Sequence, residues 1–331
     1  MTAPVVHLIV GPERHGVVRF GLELQAALRA DGYAAEVFRD VGGIPPGRGI
    51  HLQFTDRLFG ADAEQAVAAV SEVAAGVHRR GGRITATLHD LPQPADVGHY
   101  ALRARAYGAL TSILDGIVVN SEHERVLLSD IGVHSAVTVI PLPIVAPAVR
   151  PAITAGPSSV GVFGFVYPDK GHAEVLDAMQ ALPPDIALVA LGEPSAGHDD
   201  LIDGLDRTAR RQGRPFVVTG HVPDDGVLPL LQGVAVPVVH HRHMSASGSL
   251  NSWLSAGRRP LVPSTRYIRE IADRNPGALW LYEDDGLDLP AALRAALDQP
   301  ATTWSPAGTV CSPTPEQAAH AYRRLLSSVH G

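Results

Sequence analysis

The sequence predicts an α/β chain made of two doubly wound halves, each a parallel sheet covered by helices on both faces. Three observations carry that expectation. Short apolar runs alternate with amphipathic helical stretches from end to end, the pattern of strand–helix–strand crossovers. The alternation breaks once, between Ile140 and Pro157, where Pro141, Pro143, Pro147, Pro151 and Pro157 crowd a Pro/Ala/Val stretch that cannot form a helix and reads as a linker. The length of 331 residues is generous for one core and suits two of about 150 residues each. The expected division is therefore 1–146 and 147–314, with a final helix over 315–329 packing back on the first half.

Taken in order, Val5–Val10 reads as a buried strand and Arg19–Ala30 as a helix closed by Asp31-Gly32. Ala34–Phe38 and Gly49–Phe54 are the next strands, and Ala61–Arg80 is an Ala/Val-rich helix ending at Gly81-Gly82. Arg83–Leu88 is a strand that stops at His89-Asp90, and Tyr100–Leu114 a helix leading to the strand Gly116–Asn120. Ser121-Glu-His-Glu124 has the form of a capped helix start. After the Pro-rich stretch the pattern restarts with strands at Val160–Phe165, Ile186–Leu191, Phe216–Thr219, Val234–Val239 and Arg259–Val262. Ala291–Leu297 is a further helix, and Thr314 stands as a possible N-cap for Pro315–Val329.

Composition excludes several function classes. The net charge of −7, the absence of a long Lys/Arg block and an aromatic content of 5% argue against a broad nucleic-acid surface or an anionic-lipid surface. Local basic pairs, Arg210-Arg211 and Arg258-Arg259, remain able to meet a small anion. The single cysteine, Cys311, excludes an internal disulfide and a cysteine-based zinc site. Met1–Val10 lacks the basic lead and apolar core of a signal peptide, and no apolar run approaches the ~20 residues that span a bilayer. The expectation is a cytoplasmic protein.

The most informative segment is Val160-Gly-Val-Phe-Gly-Phe-Val-Tyr-Pro-Asp-Lys170-Gly-His172. An apolar strand ends in a glycine-bracketed turn at Gly164, presents Lys170, and feeds into a helix pattern. Loop amides and the positive end of a helix both favour an anion, and a lysine adds a point charge suited to phosphate. Met244-Ser-Ala-Ser-Gly-Ser249 leads in the same way into the helix Leu250–Ala256, so Ser245, Ser247, Gly248 and Ser249, with Leu250, Asn251 and Ser252, form a second candidate cradle. Two cradles in one half suit one diphosphate; ordinary serine capping of a buried helix is the alternative.

In the first half, Gly11-Pro-Glu13-Arg14-His15-Gly16 joins a strand to a helix and would let a substrate approach the backbone, though a plain turn accounts for it equally. His89 and Asp90 end a strand where ligand-facing residues sit. His240-His-Arg-His243 has the look of a metal cluster, but neighbouring residues on extended chain point to opposite faces and no carboxylate or cysteine is near, so no metal is expected. There is no Gly-x-Ser-x-Gly elbow and no P-loop signature.

These segments, in this order and spacing, resemble the GT-B glycosyltransferases, in particular the large retaining family four, over nearly the whole chain. The similar segments are Gly11–Gly16, the stretch ending at Asp90, Val118–Ser121, Phe163–Gly171, Leu191-Gly192-Glu-Pro194, Gly220-His221-Val222-Pro223, Ser255–Val262 and Ile268–Glu270. The resemblance implies the GT-B fold, two Rossmann-like doubly wound domains facing across a cleft and closing on a donor. It further implies a hexosyltransferase that uses a nucleotide-diphosphate sugar, GDP-mannose before UDP-glucose, with a saccharide acceptor, retention and no metal or other cofactor. Gly164, Lys170, Gly192, His221, Val222 and the residues Ser245 and Ser247–Ser252 would bind donor. Glu13, Arg14, His15, Gly16 and Asp90 would bind acceptor. His89 and Lys170 would serve catalysis, His89 on the transferred sugar and Lys170 on the departing diphosphate. Two departures stand out. Phe165 occupies the place of an arginine usual in the diphosphate loop. The pair of glutamates that flanks the second cradle in the family is missing: no Glu occurs between Glu193 and Glu270, and Met244 and Ser252 fall near those places. A GT-B protein that binds a nucleotide sugar or a partner without catalysis is the alternative.

Overall fold

The computed structural model of the chain describes residues 5–40, 44, 48–151, 158–241, 243–283 and 288–331. The chain divides into two compact units: unit 1, Met1–Pro143 with Pro313–Gly331, and unit 2, Ile144–Ser312. Of the Pro-rich stretch expected to link the halves, residues 152–157 lie outside the described residues.

Unit 1 opens with β1 (Val5–Leu8), α1 (Gly16–Ala30), β2 (Ala35–Phe38) and β3 (Ile50–Phe54). The single turn α2 (Asp56–Phe59) and α3 (Ala63–His78) follow, then β4 (Ile84–Leu88), α4 (Tyr100–Ile113), β5 (Gly116–Val119), α5 (Glu122–Asp130) and β6 (Val137–Val139). The strands run parallel in the order β2-β1-β3-β4-β5-β6, so the direction of winding reverses between β1 and β3. Side chains alternate across this sheet. Ile50, Leu52 and Phe54 of β3 and Ile84, Ala86 and Leu88 of β4 join a core with α3 and α4. The other face carries a polar stripe instead, because the register sets His7 beside His51 and His51 beside Thr85.

Unit 2 runs β7 (Ser159–Phe163), α6 (His172–Ala178), β8 (Ala187–Leu191), α7 (Asp199–Arg211), β9 (Phe216–Val218), α8 (Asp224–Gly233) and β10 (Val236–Val238). It continues with α9 (Gly248–Ser255), β11 (Leu261–Pro263), α10 (Arg266–Arg274), β12 (Trp280–Tyr282) and α11 (Asp288–Asp298). Its parallel sheet has the order β12-β11-β10-β7-β8-β9, with the reversal between β7 and β10. One core gathers Val160 and Val162 with α6, α7 and α11, and a second gathers Trp253, Leu254, Ile268 and Val262 with α9 and α10.

The chain then re-enters unit 1 as α12 (Pro315–His330). Thr314 caps it by accepting from the Gln317 amide while the Gln317 side chain accepts from the Thr314 amide, and Pro315 sits where no amide is needed. Its buried stripe, Ala318, Ala319, Tyr322 and Leu326, packs with Leu24 and Leu28 of α1 and Val118 of β5. This helix covers the polar stripe: His51 Nε2 lies 3.1 Å from Thr87 Oγ1, Thr87 Oγ1 2.9 Å from the Tyr322 hydroxyl, and Thr85 Oγ1 3.1 Å from His330 Nε2.

Of the basic pair Arg258-Arg259, Arg258 is turned into the core and is not available to a small anion. Arg258 is wholly buried, donates to the carbonyls of Leu231, Val234, Ala235 and Thr303, and lies 4.3 Å over the Trp304 ring. Its charge is satisfied by backbone dipoles. Among the described residues no helix is long and apolar enough to cross a membrane.

Candidate functional site

In an open parallel sheet, ligands bind beyond the carboxyl ends of the strands where the winding reverses. In unit 2 that place is the end of β7 beside the end of β10. The chain leaves β7 through Gly164, at φ +112°, and makes a short 3₁₀ turn, Pro168–Lys170. Gly171 then starts α6 at φ +90°, where an added Cβ would sit 2.0 Å from the His240 carbonyl oxygen just past β10. The close approach of these two strand exits therefore requires glycine.

Lys170 ends up 6% exposed, and burial lowers its ammonium from 10.5 to about 8. Among the described residues its one hydrogen bond is from Nζ to Ser249 Oγ, at 2.8 Å, and no carboxylate pairs with it. A charge buried without a counter-ion is costly unless something anionic completes it. Ser249 belongs to the first turn of α9. Ser247 caps that helix by accepting from the Leu250 amide at 3.1 Å, and its own amide donates to the Tyr267 hydroxyl at 3.2 Å. Ser247 Oγ lies 3.2 Å from Ser249 Oγ, so both hydroxyls and the Lys170 ammonium converge.

The remaining expected donor residues fall as follows. Gly192, at φ +153°, follows β8; a Cβ there would meet the Gly164 carbonyl oxygen at 2.2 Å, and its amide donates to Thr219 Oγ1 at 2.9 Å. Gly192 thus lines up beside Gly164 at the strand ends. His221 is exposed and Val222 half-buried in the turn before α8. Ser245 and Asn251 are buried, and Ser252 is half-buried with its hydroxyl donating to the Gly248 carbonyl. The Leu250 side chain lies in the core, which leaves only its backbone at the surface of the cradle. Met244 is also a core residue.

Two neutral imidazoles flank Lys170. His172, 1% exposed, has no hydrogen-bond partner on either ring nitrogen and is lowered to about 3 by burial and by the Lys170 charge. His241 is lowered to about 3 by burial, then by Lys170 and His243, and its Nε2 lies 2.8 Å from the Tyr167 hydroxyl. His240 turns away to stack on Tyr282. Arg242 lies outside the described residues. The histidine run thus splits between partners.

In unit 1 the reversal brings the loop after β1 next to the ends of β3 and β4. Glu13, Arg14 and Gly16 are exposed and His15 half-buried, where its Nδ1 accepts from the Val17 amide at 3.3 Å and caps α1. His89 is 6% exposed and donates from Nε2 to Gln53 Oε1 at 2.9 Å. Burial holds its imidazole at about 4, with Asp90 opposing and His15 reinforcing, so His15, His89 and Asp90 lie within electrostatic reach of one another. Asp90 is exposed and adopts φ 50°, the one positive-φ residue other than glycine among those described. Such strain persists where surroundings impose it. Here Tyr107 donates to the His89 carbonyl at 3.0 Å, and Arg103 donates to the Asp90 carbonyl while also binding Asp96 and, at 2.8 Å, Asp56. Gln53, Arg103 and Tyr107 carry no local sequence signal; Tyr167, His172 and His241 lie in segments the sequence singles out, but the pairing of Tyr167 with His241 joins distant parts of the chain.

Two units of parallel six-stranded sheet, each reversing its winding beside a polar cluster at the strand ends, have the GT-B fold. The chain is similar to HepE from Anabaena, solved with UDP and glucose, at TM-score 0.75 and 14% identity over 98% of this chain and 99% of that one. It is also similar to sucrose-phosphate synthase from Thermosynechococcus elongatus, at TM-score 0.69 and 14% identity over 99% and 95%. A third such structure is OtsA, at TM-score 0.59 and 14% identity over 96% and 79%. At these identities the likeness establishes the fold. Neither the protein-family models nor the curated proteins give a match.

Proposed function

We propose that the protein is a nucleotide-sugar-dependent glycosyltransferase in which unit 2 binds the donor diphosphate and unit 1 binds the acceptor. The observation that carries this reading is Lys170, a buried ammonium with no carboxylate partner among the described residues, placed with Ser249 at the winding reversal of unit 2. Its charge, the Ser247 and Ser249 hydroxyls and the first amides of α9 match the oxygens of a diphosphate. In the transfer, the bond from sugar C1 to the phosphate oxygen breaks and its electron pair leaves with the nucleoside diphosphate. A bond forms from C1 to the acceptor oxygen. Lys170 lowers the barrier by stabilising the charge that grows on the departing phosphate. The hydroxyl proton passes to that phosphate, which accounts for retention without a dedicated base, and the charge compensation calls on no metal. His89 and Asp90, held by Gln53 and Arg103, meet the hexose and a saccharide hydroxyl. The donors to try first are UDP-glucose, after the UDP and glucose in the HepE structure, and GDP-mannose.

The test is a thermal-shift screen against UDP, GDP, ADP and their sugar conjugates with EDTA present, followed by donor turnover. A ligand at a hundred times its Kd stabilises by about 2.7 kcal/mol, well within detection. A shift that Lys170→Ala abolishes supports the reading, and no shift with any nucleotide sugar overturns it. A shift without turnover on any acceptor identifies the binding-only alternative.

A further inference from the structure

A nucleotide-diphosphate sugar brings two negative charges to the cradle, and Lys170 offers one positive charge. Among the described residues no second lysine and no arginine bears on His172 or His241; the cation that acts on both is Lys170 itself. His241 sits on the strand exit opposite Lys170, half-buried, its ring edge-on to Tyr167 with centroids 5.6 Å apart and Nε2 2.8 Å from the Tyr167 hydroxyl. Tyr167 stands immediately before the 3₁₀ turn that ends in Lys170.

We infer that His241, oriented by Tyr167, is a second ligand of the phosphate bound at Lys170 and takes up a proton from solvent as that phosphate arrives. The inference rests on the donor-site reading above. Among the described residues, the groups facing the His241 ring are Tyr167 and Lys170 from the loop after β7 and His243 from its own segment; His240 is engaged with Tyr282. In the empty site these surroundings hold the imidazole neutral. Then one ring nitrogen engages the tyrosine hydroxyl and the other is left for an incoming oxygen. With an anion in place the balance changes, because an opposite charge at contact range favours the imidazolium by one to three pKa units, from about 3 to about 6 at most. Tyr167 is compatible with both states, since its hydroxyl donates to a neutral imidazole or accepts from a charged one.

The consequence is linkage between donor affinity and proton concentration. UDP-glucose and GDP-mannose are the probes, because both phosphates in each are esterified and neither titrates between pH 5 and 7. Calorimetric titrations at pH 5.5 in acetate and in MES, buffers of different ionisation enthalpy, read the protons taken up; a second set at pH 7.0 reads the change in affinity. At the upper end of the shift, the unaltered protein takes up about three quarters of a proton at pH 5.5 and binds about fourfold more tightly there than at pH 7.0. His241→Gln removes the hydrogen bond to the phosphate and should weaken binding at pH 7.0 by about tenfold or more, the weight of one hydrogen bond to a charged group. It should lose both the uptake and the pH dependence. Tyr167→Phe, which removes the hydrogen bond that orients the His241 ring, should diminish both. Binding with no uptake at pH 5.5 or at pH 4.5, where even a one-unit shift brings in about a fifth of a proton, or uptake that survives in His241→Gln, overturns the assignment of His241 and leaves the donor site standing. Failure of both probes to bind, with Lys170→Ala indistinguishable from the unaltered protein, removes the donor-site reading and this inference with it.

Discussion

Replacing Lys170 by methionine should make unit 2 more stable while removing its anion site. The side chain is 6% exposed and burial lowers its ammonium from 10.5 to about 8. That gap corresponds to about 3 kcal/mol by which the fold disfavours the charged form. Methionine keeps an apolar stem of similar length and gives up the hydrogen bond to Ser249, worth about 1 kcal/mol. The net gain is about 2 kcal/mol, or roughly 4–8 °C in melting temperature for a unit of this size. The sign with pH follows from proton counts. Between pH 8 and 10.5 the unfolded chain holds a proton that the folded lysine has lost, so stability of the unaltered protein rises with pH across that window. Below pH 8 both states are charged and the full cost is present; above 10.5 it disappears. Lys170→Met should lack the rise and, above pH 10.5, fall about 1 kcal/mol below the unaltered protein, the weight of the hydrogen bond it gave up. Trp253, Trp280 and Trp304 are the only tryptophans of the chain and all lie in unit 2, so urea denaturation followed by tryptophan fluorescence reads this unit alone. A variant less stable than the unaltered protein at pH 7, or one with the same slope between pH 8 and 10, would refute the account of Lys170 as a charge kept for a ligand.

Two further outcomes follow from geometry. His7, held at about 4, and His51, held well below its usual value, are buried neutral in unit 1, while unfolded histidine titrates at 6.5. The unfolded state therefore binds more protons below pH 6.5, and unit 1 should lose about 1.4 kcal/mol per pH unit for each of them on acidification towards pH 4; hydrogen exchange in β3 and β4 measures this, and protection unchanged at pH 4.5 contradicts it. Gly171→Ala would drive a Cβ to 2.0 Å from the His240 carbonyl oxygen at φ +90°, so it should cost about 1–3 kcal/mol in unit 2 and abolish the thermal shift with nucleotide sugars; binding at the unaltered affinity would show that the two strand exits need not touch.

The parts legible in the sequence are those encoded by local periodicity. β1 to β5 and β7 to β11 sit within a residue or two of the apolar runs, and α12 carries its start signal in Thr314, Pro315 and Gln317. β6 and β12 escape the pattern because three residues at a sheet edge, Val137–Val139 and Trp280–Tyr282, show no alternation distinguishable from loop. α2, four residues long, is shorter than a helical period can reveal. The Lys170 turn was readable because strand, glycine, lysine and helix follow in one run. Its surroundings were not: Tyr167 and His241 are 74 positions apart, Asp56 and Arg103 47, and Gln53 and His89 36. The polar stripe of unit 1 was hidden for another reason. His7, His51, Thr85 and Thr87 sit inside strands whose alternate residues are apolar, and only the register shows that they face one side together.

The return of α12 to unit 1 sets the order in which a growing chain can complete itself. The sheet of unit 1 is synthesised through β6 before any of unit 2, yet Leu24, Leu28 and Val118 gain their cover from solvent only when residues 315–330 arrive. The ribosome must first make all of Ile144–Ser312, which takes on the order of 10–30 s at ordinary elongation rates. Through that interval a half-covered sheet waits while unit 2 is made, so the nascent chain is at its most adhesive in the first unit made and the last to be sealed.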